Sequence, residues 1–382
     1  MSKYILNPFF YYIFIFLFIL FLYLLRWSYL QPLLTFNLVI FFFVTFLISA
    51  LGSIVFQNFF HNDIFLSNSG SNKFVIFFIF LGAVAELGYQ GAIPLIEILK
   101  GANYDYTGFG IPTFHVFFLP YISAVGVLSF YGYLVEKNKS KLYIFLFSIL
   151  FSILIVNRGA LIFSFISSIL IYLKYKGGIS LKKICFTSIA MLVVLYLFGV
   201  IGNYRMVSSG YQSQDVIISL GQATPEFYNS SVPNEFFWSY LYIVTPLANL
   251  QHQVNNIPVN TDYIDVIKYH LLIDFLQKRI FPDEEKKLYL IADEFNVSTM
   301  YGEIVQKSGF IGLYIIFFWF LICIFLIAII TPLKYRSPVF ALLCSIAILT
   351  CFTNVITFSG FILQPILLSI LGHFRIGRYN LI

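Results

Sequence analysis

Apolar runs of about the length that a helix needs to cross a hydrocarbon core of about 30 Å recur along this chain, at 7–25, 33–56, 74–90, 113–134, 142–156, 160–173, 184–202, 309–330, 338–358 and 360–374. They predict an all-α polytopic membrane protein with about ten transmembrane helices. A soluble fold is excluded, because only 10% of the 382 residues are charged, against about a quarter in globular domains. Lys and Arg exceed Asp and Glu, giving a formal charge of +6, but they stand singly at the ends of apolar runs. That is the pattern of helix flanks, so no nucleic-acid partner is expected. The first run is too long for a secretion signal, has no small-residue cleavage pattern and is followed by further spans, so it reads as a retained first helix. Cys185, Cys323, Cys344 and Cys351 lie in apolar segments without CxxC spacing, which indicates neither a disulfide framework nor a zinc site.

The block from 142 to 173 has two readings. As one helix of 32 residues it would be about 48 Å long, beyond what tilt accommodates. As a hairpin turning at Asn157-Arg158-Gly159 it places Lys137, Lys139, Lys141, Lys174, Lys176, Lys182 and Lys183 on one side. The hairpin reading also fixes orientation. With both termini in the cytoplasm, thirteen basic residues lie inside, including Lys3, Lys73, Lys334, Arg336, Arg375 and Arg378, against Arg26, Lys100 and Arg158 in the short outer connections. A bacterial inner membrane, with the outer side periplasmic or extracellular, is the expected location.

Residues 203–308 are the one long polar stretch in a single integral membrane domain covering 1–382, and hold twelve of the seventeen acidic residues. They are predicted to form a large outward-facing loop with interfacial helices. Phe236–Leu250, short and interrupted by Pro246, reads as a re-entrant or interfacial segment. Ile264, Ile267, Leu271, Leu272, Phe275 and Leu276 recur at helical spacing, which predicts an amphipathic helix on the bilayer surface. Pro282 ends it, and DEEKKLYLIADEF predicts a second short helix. A further outer segment, Gly91–Pro112, is rich in Gly, Pro and Tyr, and Tyr104 there is a candidate for lining a sugar path.

Several residues are placed for chemistry. Arg158 costs about 2.5–3.5 kcal/mol in an apolar block unless solvated or paired, and at the outer membrane edge it suits a lipid-linked phosphate. Arg205 follows the next ascending helix, and arginine's planar fork suits diphosphate. Lys268, Lys278 and Arg279 flank the surface helix, where attraction to anionic lipid accounts for them. Glu86 near the outer end of the third span must face a cavity or pair with a cation. Glu303, where the chain re-enters the membrane, is a candidate general base, and His252 beyond the short apolar segment is another. Asp293 and Glu294 read as exposed helix acids. No metal and no cofactor is expected, because no HExxH, DxD, Walker loop or Rossmann glycine pattern occurs.

In layout, and in NRG at Arg158, GNYR at Arg205, YIVTPLANL around Pro246 and Asn249, and FNVSTMYGEIVQKSGFIG with Thr299, Gly309 and Gly312, the chain resembles the Wzy family of O-antigen, or oligosaccharide repeat-unit, polymerases. Ser308 stands where many members carry an acidic residue before the glycine. The resemblance implies a metal-independent multi-span glycosyltransferase, similar to the GT-C class, that joins undecaprenyl-diphosphate-linked oligosaccharides at the outer face. It implies Arg158 and Arg205 on the leaving diphosphate, Glu303 or His252 as base, and Glu86, Tyr104, Asn249 and Thr299 in the substrate cavity. Membrane lipid, a chain-length regulator and a flippase are the implied partners. An O-antigen ligase acting on the same donor, and a transporter of lipid-linked sugars, are the competing readings.

Overall fold

The computed structural model describes residues 4–61, 73–101, 104–105, 108–177, 181–208, 210–211, 216–256, 263–281, 289–376 and 379–380. In chain order the helices are α1 (Pro8–Tyr23), α2 (Phe36–Val55), α3 (Gln57–His61), α4 (Lys73–Gln90), α5 (Pro94–Leu99), α6 (Phe114–Glu136), α7 (Lys139–Leu154), α8 (Arg158–Tyr175) and α9 (Leu181–Ser208). The polar stretch contributes α10 (Val216–Leu220), α11 (Pro225–Tyr228), α12 (Phe236–Asn256), α13 (Tyr263–Val266), a π turn over Ile267–Leu271 and α14 (Asp274–Ile280). Then come α15 (Gly302–Ile330), α16 (Arg336–Leu349), α17 (Ser359–Leu371) and a two-residue hairpin ladder, Arg375–Ile376 with Tyr379–Asn380. Among the described residues, α2, α4, α6, α8, α15 and most of α9 are long and apolar enough to cross a membrane, while α1 and α17 are apolar but shorter.

The 142–173 block is a hairpin. Asn157 breaks it, its side-chain oxygen accepting from the Ala160 amide at 2.9 Å as an N-cap, with Val156 in a left-handed turn conformation just before it. α7 packs back on α6 through small residues. A Cβ on Gly126 would strike Ser148, and one on Gly132 would lie 2.7 Å from Cδ of Lys141. Lys141 is therefore buried rather than a solvated flank, its Nζ 2.7 Å from Glu136 Oε1.

Contacts sort the helix ends into two sets. At one end Asn7 donates to the Ser53 carbonyl, Phe60 packs on Phe9 and Phe340, Arg336 stacks over Phe59, Lys174 meets His61, and Lys137 lies over Tyr175. This basic end also holds the Thr331–Ser369 contact between the C-terminal ends of α15 and α17. Lys3 and Arg378 fall outside the described residues. At the opposite, loop end Ser28 pairs with Ala223, Arg279 donates to the Thr113 hydroxyl, Asp274 meets Thr357 and Ser359, and the Met300 amide donates to the Thr350 carbonyl at 2.8 Å.

The polar stretch differs in detail from the sequence expectation. Phe236–Leu250 is part of a longer, deeply buried helix, α12, in which both Tyr240 and Gln251 hydrogen-bond the same 27–35 connection, through Gln31 and Thr35. It lies across the loop end rather than running from end to end. Pro246 is accommodated, and its carbonyl accepts from the Thr299 amide at 3.4 Å. The expected amphipathic helix over 264–276 is broken into α13, the π turn and α14, because Leu272 is extended and His270 turns inward. In the expected second helix, residues 282–288 lie outside the described residues and 289–295 are not helical, so Asp293 and Glu294 sit in a turn, exposed.

α15 is not straight. Gly309 has φ 56° and ψ −144°, a conformation that glycine alone adopts without strain. The Phe41 ring lies 4.9 Å from that of Tyr301 and 5.0 Å from that of Tyr314. Thirteen residues of straight helix would separate those two by about 20 Å. The chain therefore dips into the bundle at Tyr301, rises through 302–308, turns at Gly309 and descends as the span. Tyr12 locks the dip, its hydroxyl 2.7 Å from that of Tyr301 and 3.1 Å from Thr45.

Candidate functional site

The dip gathers a cluster of polar side chains at the loop end. Glu303, in the rising arm, faces His270 of the π turn, with Oε2 3.6 Å from Nδ1. The His270 carbonyl accepts from Asn354 of the α16–α17 connection at 2.9 Å. On the other side, Gln306 donates to Gln253 of α12 at 3.1 Å, and Lys307 donates to Asp265 at 3.2 Å. Three buried polar atoms of this network, Nε2 of His270, Oδ1 of Asn354 and Nε2 of Gln253, have no partner among the described residues. Buried polar atoms are seldom left so.

Scaffolding surrounds the cluster. Asn249 is wholly buried; its amide donates to the carbonyls of Phe295 and Val297 at 2.7 and 2.8 Å, and its oxygen accepts from the Ile291 amide at 2.9 Å. That is a staple holding 291–297 across α12. Thr299 is likewise buried, its hydroxyl accepting from the Tyr301 amide at 3.3 Å. Asp274 accepts from the Ser359 amide at 3.0 Å, an anion at the N-terminus of α17. Asp274→Asn is expected to lower the thermal midpoint slightly, by an interaction worth about 0.3–1 kcal/mol, measured by unfolding in detergent with salt varied.

His252 lies on the half-exposed side of α12, with Nδ1 3.0 Å from Asn256 one turn on. Two other histidines also lie at the loop end. His270 meets Glu303, and His115 meets Glu86, Nδ1 to Oε2 2.7 Å, at the loop end of α4 and α6. The sequence carried a signal for the second pair, since Glu86 and His115 lie near the outer ends of consecutive long apolar runs that must run antiparallel. Nothing local marked His270, which the π turn alone swings inward. Tyr104 has a buried hydroxyl without a partner among the described residues.

The two arginines stand on helices with different packing partners. Arg158 is exposed at the first turn of α8, which packs on α6, α7, α16 and α17, with Gly159 against Phe361. A cation there opposes the helix dipole, a placement that a bound anion relieves. Arg205 is exposed in the last turn of α9, which packs on α12 and α10, and there it complements the dipole. Elsewhere in the loops, Glu226 is held below the usual carboxylate range, first by the Thr224 hydroxyl, then by its own backbone amide, with Arg26 contributing.

Fold and polar cluster together define a helical membrane protein with a polar, loop-built site at one end of the bundle. No protein-family model, no curated protein and no solved structure matches the chain.

Proposed function

We propose that the chain polymerises undecaprenyl-diphosphate-linked oligosaccharide repeat units into O-antigen or capsular polysaccharide at the outer face of a bacterial inner membrane. In this reading it spans the membrane ten times, with both termini and the basic end cytoplasmic and the loop end periplasmic. The observation that carries the proposal is the polar cluster: a carboxylate facing a histidine, with atoms on His270, Asn354 and Gln253 that have no partner among the described residues and suit a ligand rich in hydroxyls.

An acceptor sugar hydroxyl attacks the anomeric carbon of the lipid-linked sugar, and its proton passes to the Glu303–His270 pair. The bond from that carbon to the diphosphate oxygen breaks, and the diphosphate leaves with the electron pair. Charge develops on the diphosphate, which preplaced cations stabilise. Arg158, exposed beside the N-terminus of α8, is suited to that task. Arg205 serves a different face of the loop end, so a single clamp built from both arginines is not part of this reading. Electrophoresis of surface polysaccharide from a deletion strain tests the proposal. Loss of the polymer ladder with a core bearing one repeat unit is expected. A core bearing no repeat at all would point instead to the ligase or to a transporter of the lipid-linked unit, and an intact ladder would refute all three.

A further inference from the structure

An apolar groove of about 290 Å³ runs between α4, α6 and α17 and is walled by six aromatic rings, those of Phe74, Phe78, Phe114, Phe117, Phe118 and Tyr121. Along α6 the lining runs from Phe114 to Tyr121, about 10 Å of helix, and Phe74 and Phe78 of α4 form the facing wall, a shape for one extended hydrocarbon chain. α4 is largely exposed on its other faces. The groove's loop end is polar. Phe114 and Phe117 flank His115, whose Nδ1 is held by Glu86, and no partner of its Nε2 is found among the described residues. Phe117 also packs on Phe275 of α14, with ring centroids 5.3 Å apart, and from α14 the exposed Arg279 donates to Thr113, two residues before His115. Glu86 is fully buried and its Oε1 has no partner among the described residues. Gly110 makes room for the pair, since a Cβ there would strike both Glu86 and His115.

We infer that this groove binds a single-chain lipid phosphate, its tail along α4 and α6 and its head group between Arg279 and His115. Arg279 offers a fork of N–H donors to phosphate oxygens, and Glu86 orients His115 through Nδ1, which leaves Nε2 for the head group. Aromatic walls suit a tail rich in methyl branches and double bonds. Resting on the glycosyl-transfer reading, the occupant is the polyprenyl diphosphate donor on its entry from the membrane, before its diphosphate passes to Arg158 for transfer.

Photolabelling tests the inference. The full chain, purified into phosphatidylcholine nanodiscs, is irradiated with a short isoprenoid diphosphate carrying a terminal benzophenone, and adducts are mapped by mass spectrometry. Label is expected in 73–90 and 114–136. It should fall about tenfold in Arg279→Gln, which removes a charge-assisted paired contact, and in Leu367→Trp, which fills the groove, while Arg205→Gln leaves it unchanged. Arg279 is exposed, so its replacement reads binding rather than folding. Label spread evenly over the lipid-facing helices, label unaffected by Arg279→Gln, or label displaced equally well by phosphatidylglycerol would each overturn the site. A normal polymer ladder in the deletion strain beside groove-specific label would sink the polymerase reading and leave the lipid site standing. Loss of the ladder without groove-specific label would sink the lipid site alone.

Discussion

Asn249→Ala is expected to free the 291–297 segment from the bundle and, on the proposed function, to abolish polymer formation. The side chain satisfies two carbonyls and one amide in a fully buried position. Truncation leaves all three without partners, and each orphaned group costs about 1–3 kcal/mol, so a loss of several kcal/mol is expected, concentrated at one segment. Proteinase K should cut the variant in 289–297 well before the wild type, and unfolding in detergent should begin at lower temperature. Asn249→Asp separates the two halves of the staple. It keeps an acceptor for the Ile291 amide but sets a carboxylate against two carbonyls, so it should fare no better. Unchanged cleavage kinetics in both variants would show that 291–297 is held by something else.

Glu136→Ala should destabilise the α6–α7 hairpin by about 3–5 kcal/mol, because it leaves the Lys141 ammonium buried beside Gly132 without its carboxylate. The companion change decides the cause. Glu136→Leu combined with Lys141→Met removes both charges and keeps the volume, and is expected to lie close to the wild type or above it. Thermal unfolding of the two singles and the double, with expression followed in parallel, gives the coupling directly. Equal loss in the singles and the double would mean that packing, not stranded charge, dominates.

Six of the ten apolar runs coincide with helices long and apolar enough to cross a membrane, because run length alone specifies such a helix. The run 338–358 does not hold to its end, since α16 stops at Leu349 and the chain turns through 350–357, while Asn157 announces the hairpin as a capping residue. What failed to show depends on partners distant in the chain. Phe236–Leu250 looks too short because Gln251 and Gln253 are polar, yet both are buried through bonds to Thr35 and Gln306. The 264–276 periodicity is correct residue by residue, but the extended Leu272 breaks it, and a moment calculated over the stretch is blind to one backbone angle. Glu303 was legible as a carboxylate at the membrane edge, whereas its neighbour His270 was not, since the pairing exists only after the loop folds over α15. Asn249 and Thr299 were marked by the motifs that carry the resemblance, and their side-chain bonds to backbone, formed across distant segments, could not be read from the sequence.

The reversal at Gly309 separates two mechanical demands on one stretch of chain. Bilayers vary in thickness, and a spanning helix answers by changing its lean. In a straight rod that lean would sweep the far tip sideways by several ångströms. Here residues 310–330 can lean about the glycine while Tyr301, pinned to Tyr12, keeps the rising arm in register with α1 and α2. Glu303 is thereby insulated from the lipid composition around it, and growth conditions that thicken or thin the membrane should leave the spacing between its carboxylate and His270 untouched.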